Sequence, residues 1–276
     1  MTLFGDLSES EATGQIAEIF AEIRYFGAVP YVSSLQRQLA TVPGCLEWLW
    51  DAIRPAFADG RLPEAAWAAT KDLNLPQLFL VPHEALRSLG VDREGEASLH
   101  DIYETFLRAS PVNMATAGTL RYLLDAAPSD VATVTKVDAV WTPPPPPSSL
   151  PTFPSTSMLG PEGQNLLALF AVDINGASFV PGLYRFLAHW PAYLAHVAVE
   201  LLPLFGRSDI VDSCHDVVRR VDEMMPTVTE GLVAGTPPFD AKTANRLRGS
   251  LSIYQGTTSP QMIVFSTLLR EALPAA

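Results

Sequence analysis

The chain has 276 residues, 48% of them hydrophobic, and its 18 Lys and Arg against 30 Asp and Glu leave a formal net charge of −12 at pH 7. This apolar content is enough to bury a substantial core, as one large domain or as two smaller repeats. The negative charge and the lack of any Lys/Arg run argue against nucleic acid and anionic membranes as partners, because both would repel the chain at long range.

Cysteine usage and the first residues indicate the compartment. Only Cys45 and Cys214 occur, far apart and each in an apolar helical context, so a disulfide framework is not expected. The opening MTLFGDLSESEA has neither the basic nor the apolar region of a secretion signal, and no apolar stretch reaches the ~18 residues that would span a bilayer. We therefore predict a cytoplasmic protein without a membrane partner.

Apolar residues at helical spacing dominate the chain. They recur every three or four positions from Ile16 to Ile23, from Leu46 to Ile53 and from Leu194 to Leu201. Further helices are predicted over 63–73, 97–109, 113–125, 209–224, 240–252 and 260–273. The alternation of apolar and polar residues that is typical of strands is scarce, so the predicted fold class is all-α.

A proline-rich segment divides the chain. Residues 141–161, WTPPPPPSSLPTFPSTSMLGP, contain five consecutive prolines, which disfavour regular helix and favour an extended, semi-rigid connector. We accordingly predict an N-terminal helical repeat over 1–140, a Pro-rich linker over 141–161 and a C-terminal helical repeat over 162–276.

The two halves are related in sequence. When residues 32–57 are moved forward by 148 positions, nine of 26 residues are identical. The identical pairs are Val32/Val180, Leu35/Leu183, Arg37/Arg185, Leu39/Leu187, Ala40/Ala188, Pro43/Pro191, Leu46/Leu194, Pro55/Pro203 and Phe57/Phe205, and a second match pairs Pro111/Pro260, Leu120/Leu269 and Arg121/Arg270. The pattern predicts an intramolecular pseudo-dimer with a cleft between its halves, where positions that differ between the copies are the first candidates for chemistry.

Asp173 is the first such position. It follows the seven apolar residues 166–172, and its counterpart in the first copy is Tyr25. Burial at that place would raise the pKa and the basicity of the carboxylate. Alternatively, Asp173 stands at the helix exit and turn formed with Asn175 and Gly176, as an exposed cap.

Asn113 is the second candidate position at which the two copies differ. Its counterpart is Met262, so one copy is polar where the other is apolar. An amide at the start of an apolar helix can orient water or hold an anion. The alternative is an N-cap or Asx-turn that follows Ser110 and Pro111.

No established catalytic motif is present, and a metal site is not expected. His189 and His196 are seven residues apart on one predicted helix face, but a third ligand at suitable spacing is missing.

The chain resembles the group I 2-haloacid dehalogenases, the DehI family. The resemblance rests on the two repeats, the linker, the segment VPYVSSLQRQLATVPGCLEWLW with its repeated counterpart FVPGLYRFLAHWPAYLAHV, and the aspartate just before that counterpart. The resemblance extends over nearly the whole chain. It implies a helical pseudo-dimer with the active site between the repeats. Asp173 takes the position of the catalytic aspartate, and Asn113 takes that of an asparagine proposed to help hold the water.

The chemistry that this resemblance implies is direct hydrolysis of a small-molecule substrate, a short 2-halocarboxylic acid, without cofactor. Asp173 would activate a water that attacks the halogen-bearing carbon with inversion and without a covalent intermediate. The residues expected to form the substrate-binding wall are Tyr25, Phe26, Val29, Val172, Ile174 and Tyr254. A homodimer is a possible assembly.

Two alternatives stay open at this point. Val172 stands where the family commonly has a small hydroxyl residue, which favours a different reaction on the same scaffold, with Asp173 directing proton transfer on a larger apolar substrate. The other is a non-catalytic helical binding module, in which Asp173 and Asn113 are both caps.

Overall fold

The computed structural model of the chain describes residues 5–126, 141–174 and 177–275, without the side chains of Thr156, Ile174 and Ala177. Its helices are α1 (Gly14–Phe26), α2 (Ser34–Leu39), α3 (Cys45–Ala58), α4 (Arg61–Ala69), α5 (His83–Ser88), α6 (Arg93–Asp125), α7 (Thr156–Ala168), α8 (Gly182–Leu187), α9 (Pro191–Leu201), α10 (Ser208–Thr229), α11 (Ala241–Gly256) and α12 (Thr258–Glu271). The all-α prediction is therefore confirmed. Within these ranges, no helix combines the length and the apolar character needed to cross a membrane.

One short antiparallel hairpin interrupts the helices of the described ranges. Strand β1 (Val172–Ile174) pairs with β2 (Ala177–Phe179), with Asp173 opposite Ser178. The sequence patterns above did not predict these strands. The Asn-Gly dipeptide between two short runs is the signal that could have indicated the hairpin.

Helix α6 is continuous where two helices, 97–109 and 113–125, were predicted. Its 33 residues run through Pro111, and Asp92 caps the start by accepting from the Gly95 N–H at 2.8 Å. A proline inside a helix removes one backbone donor, which normally breaks or kinks the helix. Here Ser110, Pro111 and Val112 are all buried, so tertiary packing keeps this segment helical.

Two hydrophobic cores lie on either side of the middle of α6, and each draws on both halves of the chain. One core combines α1 to α4 and the second half of α6 with Leu247 and Leu251 of α11. The other combines α5 and the first half of α6 with α8, α9, the first part of α10, and α12. The middle of α6 and the junction of α11 with α12 therefore lie where the two cores meet.

Several elements recur at the spacing of the sequence repeat. The bounds of α2 and α8 are 148 positions apart, and so are the N-cap residues Asp92 and Asp240, which both accept from a backbone N–H. Helices α11 and α12, divided at Thr257, occupy the place of the single helix α6. The pseudo-dimer and the division at the linker stay predictions, since both cores take residues from either side of it.

The linker forms no helix or strand over 141–155, its later residues belong to α7, and its first part is fastened to the first half. The backbone N–H of Trp141 donates to the Ala58 carbonyl at 2.8 Å, and its indole N–H donates to Glu64 at 2.9 Å. Further along, Arg108 donates to the Pro145 carbonyl at 2.7 Å. These contacts hold the first part of the linker against α3, α4 and α6.

Candidate functional site

Asn113 lies in the middle of α6 and is 6% exposed. Its Oδ1 accepts from Nε2 of Gln36 on α2 at 2.7 Å, and Oε1 of Gln36 accepts from the hydroxyl of Ser33. Asn113 is therefore neither an N-cap nor part of a turn, because α6 begins twenty residues earlier and its side chain reaches across to another helix. The three side chains form a buried chain of hydrogen bonds.

Tyr254 of α11 completes this arrangement. Its phenol oxygen shares hydrogen bonds with the side chains of Ser259, Ser33 and Asn113. Burial raises the pKa of Tyr254, and these three hydrogen bonds offset only part of that effect. We call Ser33, Gln36, Asn113, Tyr254 and Ser259 the polar cluster.

The polar cluster lies where the two cores meet and joins α2 and α6 from the first half to α11 and α12 from the second. Its groups are amides, hydroxyls and a neutral phenol, whose pKa burial raises further. Such groups hold a water molecule or a small polar ligand through directional hydrogen bonds. At the position that corresponds to Asn113, the other half has the buried apolar side chain of Met262.

Tyr31 lies near the polar cluster. The pKa of Tyr31 is raised by burial first and then by the neighbouring Tyr254, while the positive charge of Arg37 lowers it. Tyr31 therefore lies within electrostatic reach of both the cluster and Arg37. Its ring also lies 6.4 Å from that of Phe106 on α6.

Most of the polar cluster was not predicted. When the two copies are aligned, Gln36 corresponds to Tyr184, so the residue type differs between the copies as it does at Asn113 and Met262. The same comparison could therefore have identified Gln36. Ser33 and Ser259 carried no such distinctive signal, because single serines near helix starts are common caps.

Asp173 is exposed, so the expectation of a carboxylate shielded by the preceding apolar run is wrong. The run is not one buried helix: α7 ends at Ala168, and Leu169 is 54% exposed. Asp173 then lies in the middle of β1, where successive side chains point to opposite faces. Its assignment as the catalytic base stays a prediction.

The predicted wall residues lie in different environments. Tyr25 at the end of α1 is 52% exposed, whereas Phe26 and Val29 are buried. Val172 is half-buried in β1, and the side chain of Ile174 lies outside the described residues. Among the predicted site residues from different halves, Asn113 is near enough to Tyr254 to lower its pKa by hydrogen bonding. Within the first half, the rings of Tyr25 and Phe26 contact each other.

The two histidines that suggested a metal pair have separate surroundings. His189 Nε2 lies 2.7 Å from the Thr152 carbonyl, and His196 packs against the ring of Tyr193. Among the residues that the structure describes, no three His, Cys, Asp or Glu side chains are close enough to bind a metal ion together.

With two helical cores and a polar cluster between them, the chain has an all-α fold of the 2-haloacid dehalogenase kind. A D-2-haloacid dehalogenase mutant in complex with D-2-CPA matches 98% of this chain and 96% of its own, with a TM-score of 0.69. D-2-haloacid dehalogenase with L-LA matches the same shares with a TM-score of 0.71. A D-2-halacid dehalogenase mutant matches 97% and 96% with a TM-score of 0.73.

Sequence identity to each of these structures is 14%, which shows a shared fold. The resemblance predicted from the sequence is thereby confirmed at the level of the fold. No protein-family model matches the chain, and a search of curated proteins finds no relative.

Proposed function

We propose that this chain is an enzyme that hydrolyses the carbon–halogen bond of short 2-halocarboxylic acids to give 2-hydroxy acids and halide. One observation carries the proposal: a buried polar cluster built around Asn113 lies between the two cores of a fold shared with 2-haloacid dehalogenases over 98% of the chain. The reaction proposed needs no cofactor, because water is the second reactant.

The polar cluster would position the reactants. The Tyr254 phenol is neutral near pH 7 and can donate a hydrogen bond, and the Asn113 amide can both donate and accept. Displacement of halide requires the attacking water to lie in line with the carbon–halogen bond. Groups that hold this geometry lower the barrier through proximity and orientation.

Asp173 is proposed as the general base. It would take a proton from the water while the water oxygen bonds to the α-carbon and the halide leaves with the electron pair of the broken bond. Base catalysis of this kind contributes typically 10²–10⁴-fold. Because Asp173 is exposed in β1, the proposal requires the bound substrate to cover it, since excluding water strengthens its interaction with the reactants.

Halide release from each enantiomer of 2-chloropropionate tests the proposal. We expect release by the wild type and a loss of at least ~100-fold in Asp173→Asn. Asp212→Asn, which changes an exposed aspartate of α10, is the matched control and should retain activity. Circular dichroism of each variant establishes that it is folded.

Two results would contradict the proposal at different points. Release that persists in Asp173→Asn rejects this base, and no release by the wild type from either enantiomer rejects the reaction. A single turnover in ¹⁸O-labelled water tests the direct route, because the label must then enter the product and not the protein.

A second candidate function is a non-catalytic protein that binds small polar molecules at the polar cluster. The exposure of Asp173 favours it, since an unshielded carboxylate is poorly placed to act as a base on bound water. In that case the halide assay stays negative, and Asp173→Asn leaves ligand affinity unchanged.

A further inference from the structure

A cavity of about 210 Å³ lies in the second half of the chain, between α10 and the junction of α11 with α12. Its lining residues fall within 205–218 and 256–265, and we call it the α10 cavity. None of the described lining residues belongs to the polar cluster or to the predicted substrate-binding wall. The α10 cavity is therefore a different place from the candidate site.

The most buried residues that line the α10 cavity are apolar. Ile210 is 2% exposed, Phe265 is 0% exposed, and Pro260 is buried as well. Val211 and Thr257, which also line the cavity, are exposed, so it opens to solvent. A ligand therefore has a route from solvent to an apolar interior.

The volume of the α10 cavity suits a molecule with a single ring. An apolar cavity of ~150 Å³ accommodates benzene, whereas pockets for drug-sized ligands measure ~300–1,000 Å³. At about 210 Å³, this cavity has room for one ring and a small substituent.

The chemistry of the lining favours an aromatic ring. Phe205 and Phe265 both line the cavity, and their ring centres are 4.8 Å apart with the ring planes at 85°. Cys214 adds a sulfur atom to the lining, and burial raises the pKa of its thiol to about 11, so the thiol is neutral at pH 7. Aromatic rings pack favourably against other rings and against sulfur. A flat aromatic ligand therefore fits this lining better than an aliphatic one of the same size.

Gln261 of α12 is the lining residue that can recognise a polar substituent. Its side chain is half-buried and makes no hydrogen bond to any residue that the structure describes. An amide can both donate and accept, so it matches a hydroxyl group.

The lining favours a neutral ligand over a charged one. The described lining residues include no Asp, Glu, Lys or Arg, so a charged ligand would lose hydration without gaining an opposite charge. His215 lines the cavity but is exposed, so an ion pair with it would contribute little.

We propose that the α10 cavity binds a small neutral molecule of the phenol class, with its ring against Phe205 and Phe265 and its hydroxyl group bonded to Gln261. A ring matches the volume and the aromatic lining, and a hydroxyl group matches an amide that has no partner among the described residues. This binding goes beyond the proposed function and does not depend on it, because the proposed hydrolysis uses none of these residues.

Titration with phenol, followed by calorimetry or NMR, tests the α10 cavity without any turnover. We expect one saturable site per chain. Val211→Trp places a large side chain at an exposed lining position and should weaken phenol binding by at least ~10-fold, because the indole ring occupies the space of the ligand. Val199→Trp is the matched control, since Val199 is 72% exposed on α9 and outside the lining, and it should leave phenol affinity unchanged.

Gln261→Leu tests the contact with the hydroxyl group. It should lower the affinity for phenol relative to that for toluene by ~2–10-fold, the net contribution of one hydrogen bond, because toluene has the ring without the hydroxyl. Gln15→Leu, at an exposed position of α1, is the matched control and should leave this ratio unchanged. Cyclohexanol, which lacks the aromatic ring, and benzoate, which is charged, should both bind the wild type more weakly than phenol.

Three results would each overturn the proposal: no saturable phenol binding to the wild type, a phenol affinity that Val211→Trp does not lower more than Val199→Trp, or an unchanged ratio of phenol to toluene affinity in Gln261→Leu. Cyclohexanol or benzoate binding as tightly as phenol would reject a neutral aromatic ligand. If Val211→Trp does not fold, the Gln261 variant decides, because it breaks no hydrogen bond among the described residues. None of these measurements depends on halide release, so the two proposals fail or stand separately.

Discussion

The Gln36 side-chain amide donates to Oδ1 of Asn113 at 2.7 Å, and this bond ties α2 to the middle of α6. The two residues are 77 positions apart, and they are 2% and 6% exposed. A buried amide that loses its partner bears its full desolvation penalty, so each residue depends on the other. The bond therefore contributes to stability as well as to the proposed site.

Asn113→Leu should lower the free energy of unfolding by ~1–3 kcal/mol, because the Gln36 amide is left without an acceptor. The double variant Gln36→Leu/Asn113→Leu should cost less than the sum of the single variants. Urea unfolding measures all three, with the exposed Asn245→Leu as control. Strictly additive energies would show that the two amides are not coupled.

The buried hydroxyls of Tyr103 and Tyr193 lie 2.8 Å apart and pair α6 with α9. Tyr193→Phe should destabilise the protein by ~1–3 kcal/mol, because the Tyr103 hydroxyl loses its partner, and adding Tyr103→Phe should recover part of the loss. The buried Tyr184 hydroxyl has no hydrogen-bond partner among the described residues, so Tyr184→Phe should be neutral or stabilising. Similar losses for Tyr193→Phe and Tyr184→Phe in thermal unfolding would contradict this distinction.

Replacing Gly60 and Gly90 by alanine distinguishes the cost of backbone strain from the cost of a steric clash. Their φ angles are nearly equal, 82° and 81°, in the left-handed region. A Cβ at Gly60 would lie 2.6 Å from the Trp141 ring, whereas at Gly90 it would meet no described atom within 4 Å. Gly90→Ala should cost ~1–2 kcal/mol from backbone strain alone, and Gly60→Ala more.

The excess for Gly60→Ala should largely disappear when Trp141 is replaced by alanine, as urea unfolding of the double variant can show. An excess that survives without the indole ring would mean that the linker contact is not its cause.

Glu22 links Trp50 and Arg54 on α3 to α1, accepting from them at 2.7 and 2.6 Å. The hydrogen bond from Arg54 is the main cause of its lowered pKa, so the unfolded chain binds the proton more readily than the folded one. The stabilisation is therefore present above the unfolded pKa and is lost as the pH falls through the folded pKa.

Glu22→Gln should lower the free energy of unfolding by ~0.5–1 kcal/mol at pH 7, since the pair is partly exposed, and the difference should shrink below pH ~4. Glu84→Gln, which changes a highly exposed carboxylate paired with Arg87, should have no measurable effect. A Glu22 effect that is independent of pH in denaturant titrations would contradict the role of its charge.

The positions of the helices followed largely from the sequence. Apolar spacing predicted 240–252 and 260–273, and the structure has Ala241–Gly256 and Thr258–Glu271. The same local rules failed at Pro111, where they predicted a break. Packing on both sides of α6 there outweighs the missing backbone donor, and no local pattern records that packing.

The sequence by itself determined that the chain is all-α. It also predicted that the two halves are related and singled out Asn113, which is polar where the other half has Met262. Only the tertiary structure decided that Asn113 bonds to Gln36 and that Asp173 is exposed. The physical reason is that apolar periodicity records which face of a helix is buried but not what it is buried against. Contacts between residues far apart in the chain depend on how all the faces pack together.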